Sequence, residues 1–224
     1  MWLPTMDSYT IARENMIKSQ VMTNRLTDKN IITLLSDFPR HIFVPEHLKT
    51  IAYCDDFIPL NDTHSLMPLM TFARAVQAAD ISLDDNILDI GCSSGFSAAI
   101  LAKLGNKVVA IESDSDMASD AHQALSRLHI DNVIIITGKL KNGQAESGPY
   151  DVIFMNGAVD HVPDTLFDQL SDKGRLITFI NDSPYTGKAL LYKKFGDNIQ
   201  SHTLFEVKMP KLHDFIDETL TKLQ

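Results

Sequence analysis

The sequence predicts an α/β fold: a doubly wound, largely parallel, Rossmann-like sheet, with a helical extension before it and an antiparallel hairpin at its end. Three observations carry this. From Asp85 onward, short runs rich in Ile and Val alternate with helix-like stretches, and such alternation implies crossover connections and a parallel sheet covered on both faces. Near the end, two strand-like runs follow one another with no helical stretch between them, which requires an antiparallel pair. Before Asp85 the apolar spacing is helical.

In the extension, "SYTIARENMIKSQV" places Ile11, Met16, Ile17 and Val21 toward one face, with Asp7 or Ser8 as N-cap. "TDKNIITLLSDF" reads as a second helix capped by Thr27 and stopped before Pro39. A short third helix starts near Pro45 in "VPEHLKTIAY", a loop runs from Asp55 to Met67, and "PLMTFARAVQAAD" forms a fourth helix with Pro68 in its first turn.

The strands are expected at "NILDIG", "KVVAIES", "NVIIITG" and "YDVIFMNG", with helices over 95–104, 115–128 and 163–171. "GRLITFI" is a fifth strand, and "GKALLYKKF" and "SHTLFEVKM" form the hairpin. Two segments result: residues 1–84, helical and packed on the core, and residues 85–224, the sheet domain.

Composition narrows the partners. The 29 acidic and 20 basic residues give a net charge of −9, which repels a phosphate backbone and argues against a nucleic-acid partner. The best basic cluster, Lys188, Lys193 and Lys194, reads as an exposed strand edge. No apolar run reaches the ~18 residues a membrane span needs. "MWLPTMDSYT" has no basic start and no apolar core, so no signal peptide is expected. Cys54 and Cys92 form no CxxC pair and the eight histidines no HExxH pattern, so no metal site is expected and the setting is read as reducing and cytoplasmic.

The stretch "ILDIGCSSGF" supplies the chemistry. In a parallel α/β sheet, ligands lie beyond the carboxyl ends of the strands where strand order reverses, and "GCSSG" is the loop after the first sheet strand. Gly91 permits a sharp turn and a close approach to the backbone. Glu112, at the next strand end and 21 residues after Gly91, is placed to grip ribose hydroxyls. A nicotinamide dinucleotide asks for G-x-G-x-x-G, which seats a pyrophosphate on a helix N-terminus. This chain has G-x-x-x-G with Ser93 in the middle, and Asp89 stands two residues before the first glycine. A carboxylate there repels pyrophosphate and suits a ligand carrying an ammonium and a sulfonium. S-adenosyl-L-methionine is such a ligand, and the plainer alternative is a tight turn with no ligand.

Over nearly its whole length the chain resembles the protein-L-isoaspartate O-methyltransferase family. The resemblance rests on "ARENMIKSQ", "FPRHIFVPEHLKTIAYCDDFIPL", "ILDIGCSSGFSAAILAKL", "VVAIESD", "YDVIFMNGAVDHVP" and "LSDKGRLITFI", in that order. It implies a seven-stranded methyltransferase sheet and S-adenosyl-L-methionine as cofactor. Together, pattern and resemblance predict cofactor contacts at Asp89, Gly91, Cys92, Ser93, Gly95, Glu112, Ser113 and Lys139. The acceptor so implied is an isoaspartyl-containing protein or peptide. A small-molecule acceptor, or a non-catalytic cofactor-binding protein, are the competing readings.

The pattern breaks in three places. The family's substrate loop is glycine-rich and ends in Thr-Ile-Ser-x-Pro; here "IPLNDTHSLMP" has no glycine, and Pro59 and Pro68 stand one residue closer. Counting back from Pro68, Leu66 takes the serine position and His64 the threonine, so Ser65 can act as the active-site serine only by a change of register. After the third strand the family's Gly-Asp becomes Gly138-Lys139, and lysine cannot accept from an adenine amine. After the fourth strand stands "NGAVDH", whose Asp160 and His161 could line an acceptor pocket or form a solvated loop pair.

Overall fold

The computed structural model describes residues 8–21 and 26–215. Helix α1 (Ser8–Met16) runs on into a wider, π-type turn at Ile17–Val21, and α2 (Lys29–Asp37) follows. Met16, Ile17 and Val21 are buried as expected, but Ile11 is 49% exposed. Five residues at 100° each put Ile11 well off the Met16 face. Ser8 already lies within the helix rather than capping it, and Asp7 lies outside the described residues. Asp28, not Thr27, caps α2: its Oδ1 accepts from Asn30 N at 2.8 Å and Ile31 N at 3.1 Å. Its carboxylate, one residue closer to the helix than the Thr27 hydroxyl, reaches both orphan amides.

The Pro45 helix is a 3-10 turn at Glu46–Ile51. The expected loop holds a small hairpin of β1 (Ile58–Pro59) and β2 (Ser65–Leu66), with Pro59 opposite Ser65. Helix α3 (Leu69–Ala79) follows Pro68.

The rest of the chain gives β3 (Asn86–Ile90), α4 (Phe96–Leu104), β4 (Lys107–Glu112), α5 (Ser115–Arg127), β5 (Val133–Thr137), β6 (Tyr150–Val159), α6 (Asp164–Asp168), β7 (Leu170–Asn181), β8 (Gly187–Phe195) and β9 (Asn198–Glu206). The seven long strands form one sheet in the order β5–β4–β3–β6–β7–β8–β9. The first five are parallel, and β8 and β9 are antiparallel additions. Order reverses between β3 and β6, so the crevice for a ligand opens beyond Ile90 and the end of β6.

Two expectations need correction. The helix expected over 163–171 is five residues long, because the buried Gln169 side chain bonds to Thr165 O, Asn142 O and Gln144 N and the chain enters β7 at Leu170. The lysine cluster is not an exposed edge, because β8 lies between β7 and β9. Lys194 Nζ donates to Phe167 O and Leu170 O at 2.9 Å, and Lys188 pairs with Asp182 at 2.9 Å.

Alternation within each strand feeds two apolar layers. Ile87, Val108, Ala110 and Phe154 join one cluster with α3, α4 and α5, and this cluster continues without a break into Met16, Val21, Leu35 and Phe43 of the extension. Leu88, Ile90, Val109 and Ile111 face the other way, toward α6 and the 3-10 turn at Leu140–Asn142. Phe96, at the start of α4, is the joint between extension and sheet domain: Phe38, Phe43 and Phe72 pack on it at 5.3–6.0 Å between ring centres.

Arg40 lies over the same ring, 4.7 Å from its centre, and is 1% exposed. Its Nε donates to Ala52 O at 2.8 Å and its Nη2 to Met67 O at 2.7 Å. Burial pushes its pKa down to about 10, so it stays charged at neutral pH. It thereby ties the 3-10 turn and the hairpin's exit to α4. Arg40→Met retains the packing but strands two carbonyls, and Nη1 is already unpaired. The expected loss is about 2–4 kcal/mol in urea unfolding; an unchanged midpoint would show that neither carbonyl depends on the guanidinium.

Candidate functional site

The loop Gly91–Gly95 turns the chain from β3 into α4. Gly91 has φ +72° and Gly95 φ +89°, conformations that suit glycine. A Cβ on Gly95 would lie 2.9 Å from Ala121 Cβ, so the close approach of α4 and α5 requires this glycine. Ser93 also takes a positive φ, +49°. It is held there by Glu112, whose Oε2 accepts from Ser93 N at 2.8 Å.

Glu112 ends β4 with no exposure. Its Oε1 accepts from Ser113 N at 2.7 Å and Asp114 N at 3.1 Å, and from His64 Nε2 at 3.1 Å. Burial acts to raise its pKa, but the His64 hydrogen bond and the Asp114 and Ser93 amides outweigh it and hold the carboxyl below its ordinary value. The Glu112 hydrogen bond in turn raises His64 above 6.5, against burial, with Asp114 and Asp214 adding to the effect.

Asp89 is also buried, one layer beneath the loop. Ser97 Oγ donates to its Oδ2 at 2.7 Å and Asn156 Nδ2 to its Oδ1 at 2.6 Å. Desolvation pushes its pKa up to about 7, against the pull of these two donors. Asn156, just past the last pairing of β6 with β3, bonds Asp89 and lines the crevice.

A cavity of about 30 Å³ lies over these strand ends, lined in part by Gly91, Ser93, Ser113, His64, Ser65 and Asn156. A smaller one of about 10 Å³ adjoins it, with Cys92, Ser65 and Phe96 in its wall. The structure therefore brings Gly91, Ser93, Ser113 and Ser65 around one space, with Glu112 bonded to its wall. Cys92 is buried beside it, and burial pushes its thiol pKa well up. Gly95 lies beneath, against α5. Lys139 is exposed and precedes the 3-10 turn; its neighbour Leu140 lines the cavity. Asp160 is exposed and pairs with Lys211 at 2.6 Å, and His161 is exposed.

Phe57, Thr63, His64, Asn156, Leu140 and the segment Met209–His213 were not legible in the sequence as site residues. Only Asn156 carried a signal, its place at the carboxyl end of a strand flanking the order reversal.

The family model for protein-L-isoaspartate(D-aspartate) O-methyltransferase matches residues 12–212. The chain belongs to this family. It is 33% identical over 198 residues to protein-L-isoaspartate O-methyltransferase 2 of Shewanella sediminis, covering 87% of this chain and 81% of that one. It is 32% identical over 199 residues to protein-L-isoaspartate O-methyltransferase of Opitutus terrae, covering 89% and 85%. A solved protein-L-isoaspartate O-methyltransferase superposes with a TM-score of 0.79 at 26% identity, over 89% of this chain and 65% of that chain's length. A Plasmodium falciparum chain solved with S-adenosyl-L-homocysteine shares the fold, with a TM-score of 0.74 at 20% identity over 93% of this chain and all of that one. The family's members are S-adenosylmethionine-dependent methyltransferases, and the seven-stranded sheet with its antiparallel β7–β8–β9 end is their fold. Among the described residues no helix is long and apolar enough to cross a membrane, and no cluster of metal-binding side chains occurs.

Asp89 generates a pH prediction. Its pKa rises from an ordinary 3.8 to about 7 on folding, so the folded state favours the protonated form. Its contribution is complete below the unfolded value and is lost as pH rises through the folded one. Asparagine can accept from Asn156 and donate to Ser97. Between about pH 4 and 7, wild type should lose stability relative to Asp89→Asn by on the order of 3–4 kcal/mol. Parallel pH profiles of the two proteins in denaturant would refute the shift.

Proposed function

We propose that this chain transfers a methyl group from S-adenosyl-L-methionine to an isoaspartyl carboxylate in a protein or peptide. In this reading residues 85–224 hold the donor, and the extension 1–84 supplies the acceptor side through the hairpin 58–66. The observation that carries it is Glu112: a buried carboxylate at the end of β4, facing the glycine turn after β3. The residues suit the cofactor. Glu112 would accept from the ribose hydroxyls, Gly91 leaves the backbone approachable, and Asp89 would act on the donor's ammonium end through Asn156. When bound, the cofactor supplies an electrophilic methyl group whose activation is intrinsic to its sulfonium.

The acceptor asks little of the protein as an acid–base catalyst. A carboxylate of pKa ~3.9 is ionised at neutral pH, so no general base is needed. The protein's task is to hold acceptor and methyl in line and exclude water, and orientation is worth up to ~7–11 kcal/mol in the best intramolecular cases. Ser65, opposite Pro59 and in the wall of both cavities, is the candidate positioning group.

A small-molecule acceptor is the second reading, favoured by the hairpin. It lacks the family's glycines, is one residue shorter, and turns His64 onto Glu112. Methyl transfer from labelled donor to an isoaspartyl peptide and its aspartyl control separates the two. The expected result is turnover of the isoaspartyl peptide alone, reduced in Ser65→Ala with unchanged cofactor affinity. No turnover of that peptide would favour the small-molecule acceptor.

The His64–Glu112 contact predicts how donor affinity depends on pH. Ribose must displace His64 from Glu112, and the contact is strongest while His64 is protonated. Affinity for S-adenosylhomocysteine should therefore rise with pH through the raised His64 pKa, by at most about tenfold per unit for one proton released. His64→Gln should flatten the profile, and a slope surviving in His64→Gln would assign it to another group.

A further inference from the structure

After β9 the chain crosses the carboxyl ends of β3 and β6 instead of leaving the domain. Met209 is fastened by Asn181, whose side chain donates to Met209 O at 2.8 Å and accepts from Met209 N at 3.2 Å. Ala158 N then donates to Pro210 O at 2.8 Å and Leu212 N to Ala158 O at 2.9 Å, a parallel bridge that sets residues 210–212 beside the end of β6. At the far end Phe215 is buried in the second apolar layer.

Between these anchors Leu212 lines the crevice and Asp214 fastens the segment at its rim. The methyls of Leu212 lie so close that a Cβ on Gly91 would be 2.7 Å from Leu212 Cδ2, and one on Gly157 3.0 Å. The open space that these glycines leave in front of the strands is filled by leucine. Asp214 Oδ2 accepts from Leu140 N at 2.9 Å, and Leu140 lines the same cavity. The remaining space is about 30 Å³, roughly a tenth of the smallest ordinary ligand pockets, which start near ~300 Å³.

We infer that residues 209–215 form a built-in strap that closes the donor crevice, and that the cofactor binds by displacing Leu212 and Asp214. The inference rests on the cofactor reading above. Met209 is 2% exposed and Phe215 7%, so both ends hold while the middle, secured by the short bridge, the Lys211–Asp160 ion pair and the Asp214 carboxylate, can lift. The closed form lowers apparent affinity by the fraction of molecules in which the strap is open. Weakening the strap should therefore tighten binding, the opposite of what removing a ligand contact does.

The test is calorimetric titration of wild type, Leu212→Ala, Asp214→Ala and Glu112→Ala with S-adenosylhomocysteine, joined to hydrogen exchange on wild type with and without ligand. Leu212→Ala and Asp214→Ala should bind about tenfold tighter or more, and Glu112→Ala weaker. In wild type the ligand should speed exchange at the amides of Leu212 and Ala158, a readout that does not depend on any variant folding. Unchanged or weaker binding by both strap variants, or slower exchange at Leu212 in the complex, would overturn the strap while leaving the cofactor reading intact. No binding by any of the four proteins would remove the cofactor reading, and the strap inference with it.

Discussion

The site is organised around one buried carboxylate. Glu112 has no exposure, and burying its charge is tolerable only because donors meet it on both oxygens. They come from three separate segments: Ser93 from the loop after β3, Ser113 and Asp114 from the approach to α5, and His64 from the hairpin. Hydrogen bonds to an ionised acceptor are short and strong, so these segments are fixed relative to one another by a single group. The positive φ of Ser93 follows from this. A serine is held in a conformation that few residues adopt freely, because its amide is needed on Glu112 Oε2.

The sheet was legible because its signal is local. Strands buried on both faces must be apolar at successive positions, and "ILDI", "VVAI" and "VIFM" satisfy this without reference to the rest of the chain. The errors fall where one local feature competes with a neighbour or a distant contact. Thr27 and Asp28 are both good caps, and the backbone geometry selects the second. Residues 163–171 look helical, but Gln169 is pinned by Asn142 and Gln144, which lie more than twenty residues away. The lysines of β8 look like an edge because the sequence shows two consecutive strands without saying which is outermost. Pairing of β8 with β7 and β9 on its two sides makes β9 the edge.

The same division runs through the site. Gly91, Ser93 and Glu112 could be found by spacing, since a turn after one strand and an acid at the end of the next become neighbours in any parallel sheet of this order. His64 reaches Glu112 across 48 positions, Asn156 reaches Asp89 across 67, and Asp214 reaches Leu140 across 74. Contacts of that range have no periodicity to betray them. They depend on how the hairpin and the segment after β9 settle against the sheet.

The divergence from the family therefore has a physical address. The parallel strands carry the family pattern, and the departures lie in the hairpin and in the loops after β5 and β6; the hairpin and the segment after β9 approach the crevice from outside the sheet. The hairpin brings His64 to Glu112 from one side, and residues 209–215 bring Leu212 to the glycine turn from the other. Both line the cavity over the strand ends. Such an arrangement leaves the chemistry of the strand ends intact while making access to them depend on segments that sequence change can alter without disturbing the core. The buried Glu112 carboxylate joins the two levels: it holds His64 of the hairpin, while Leu212 of the segment after β9 packs against Gly91.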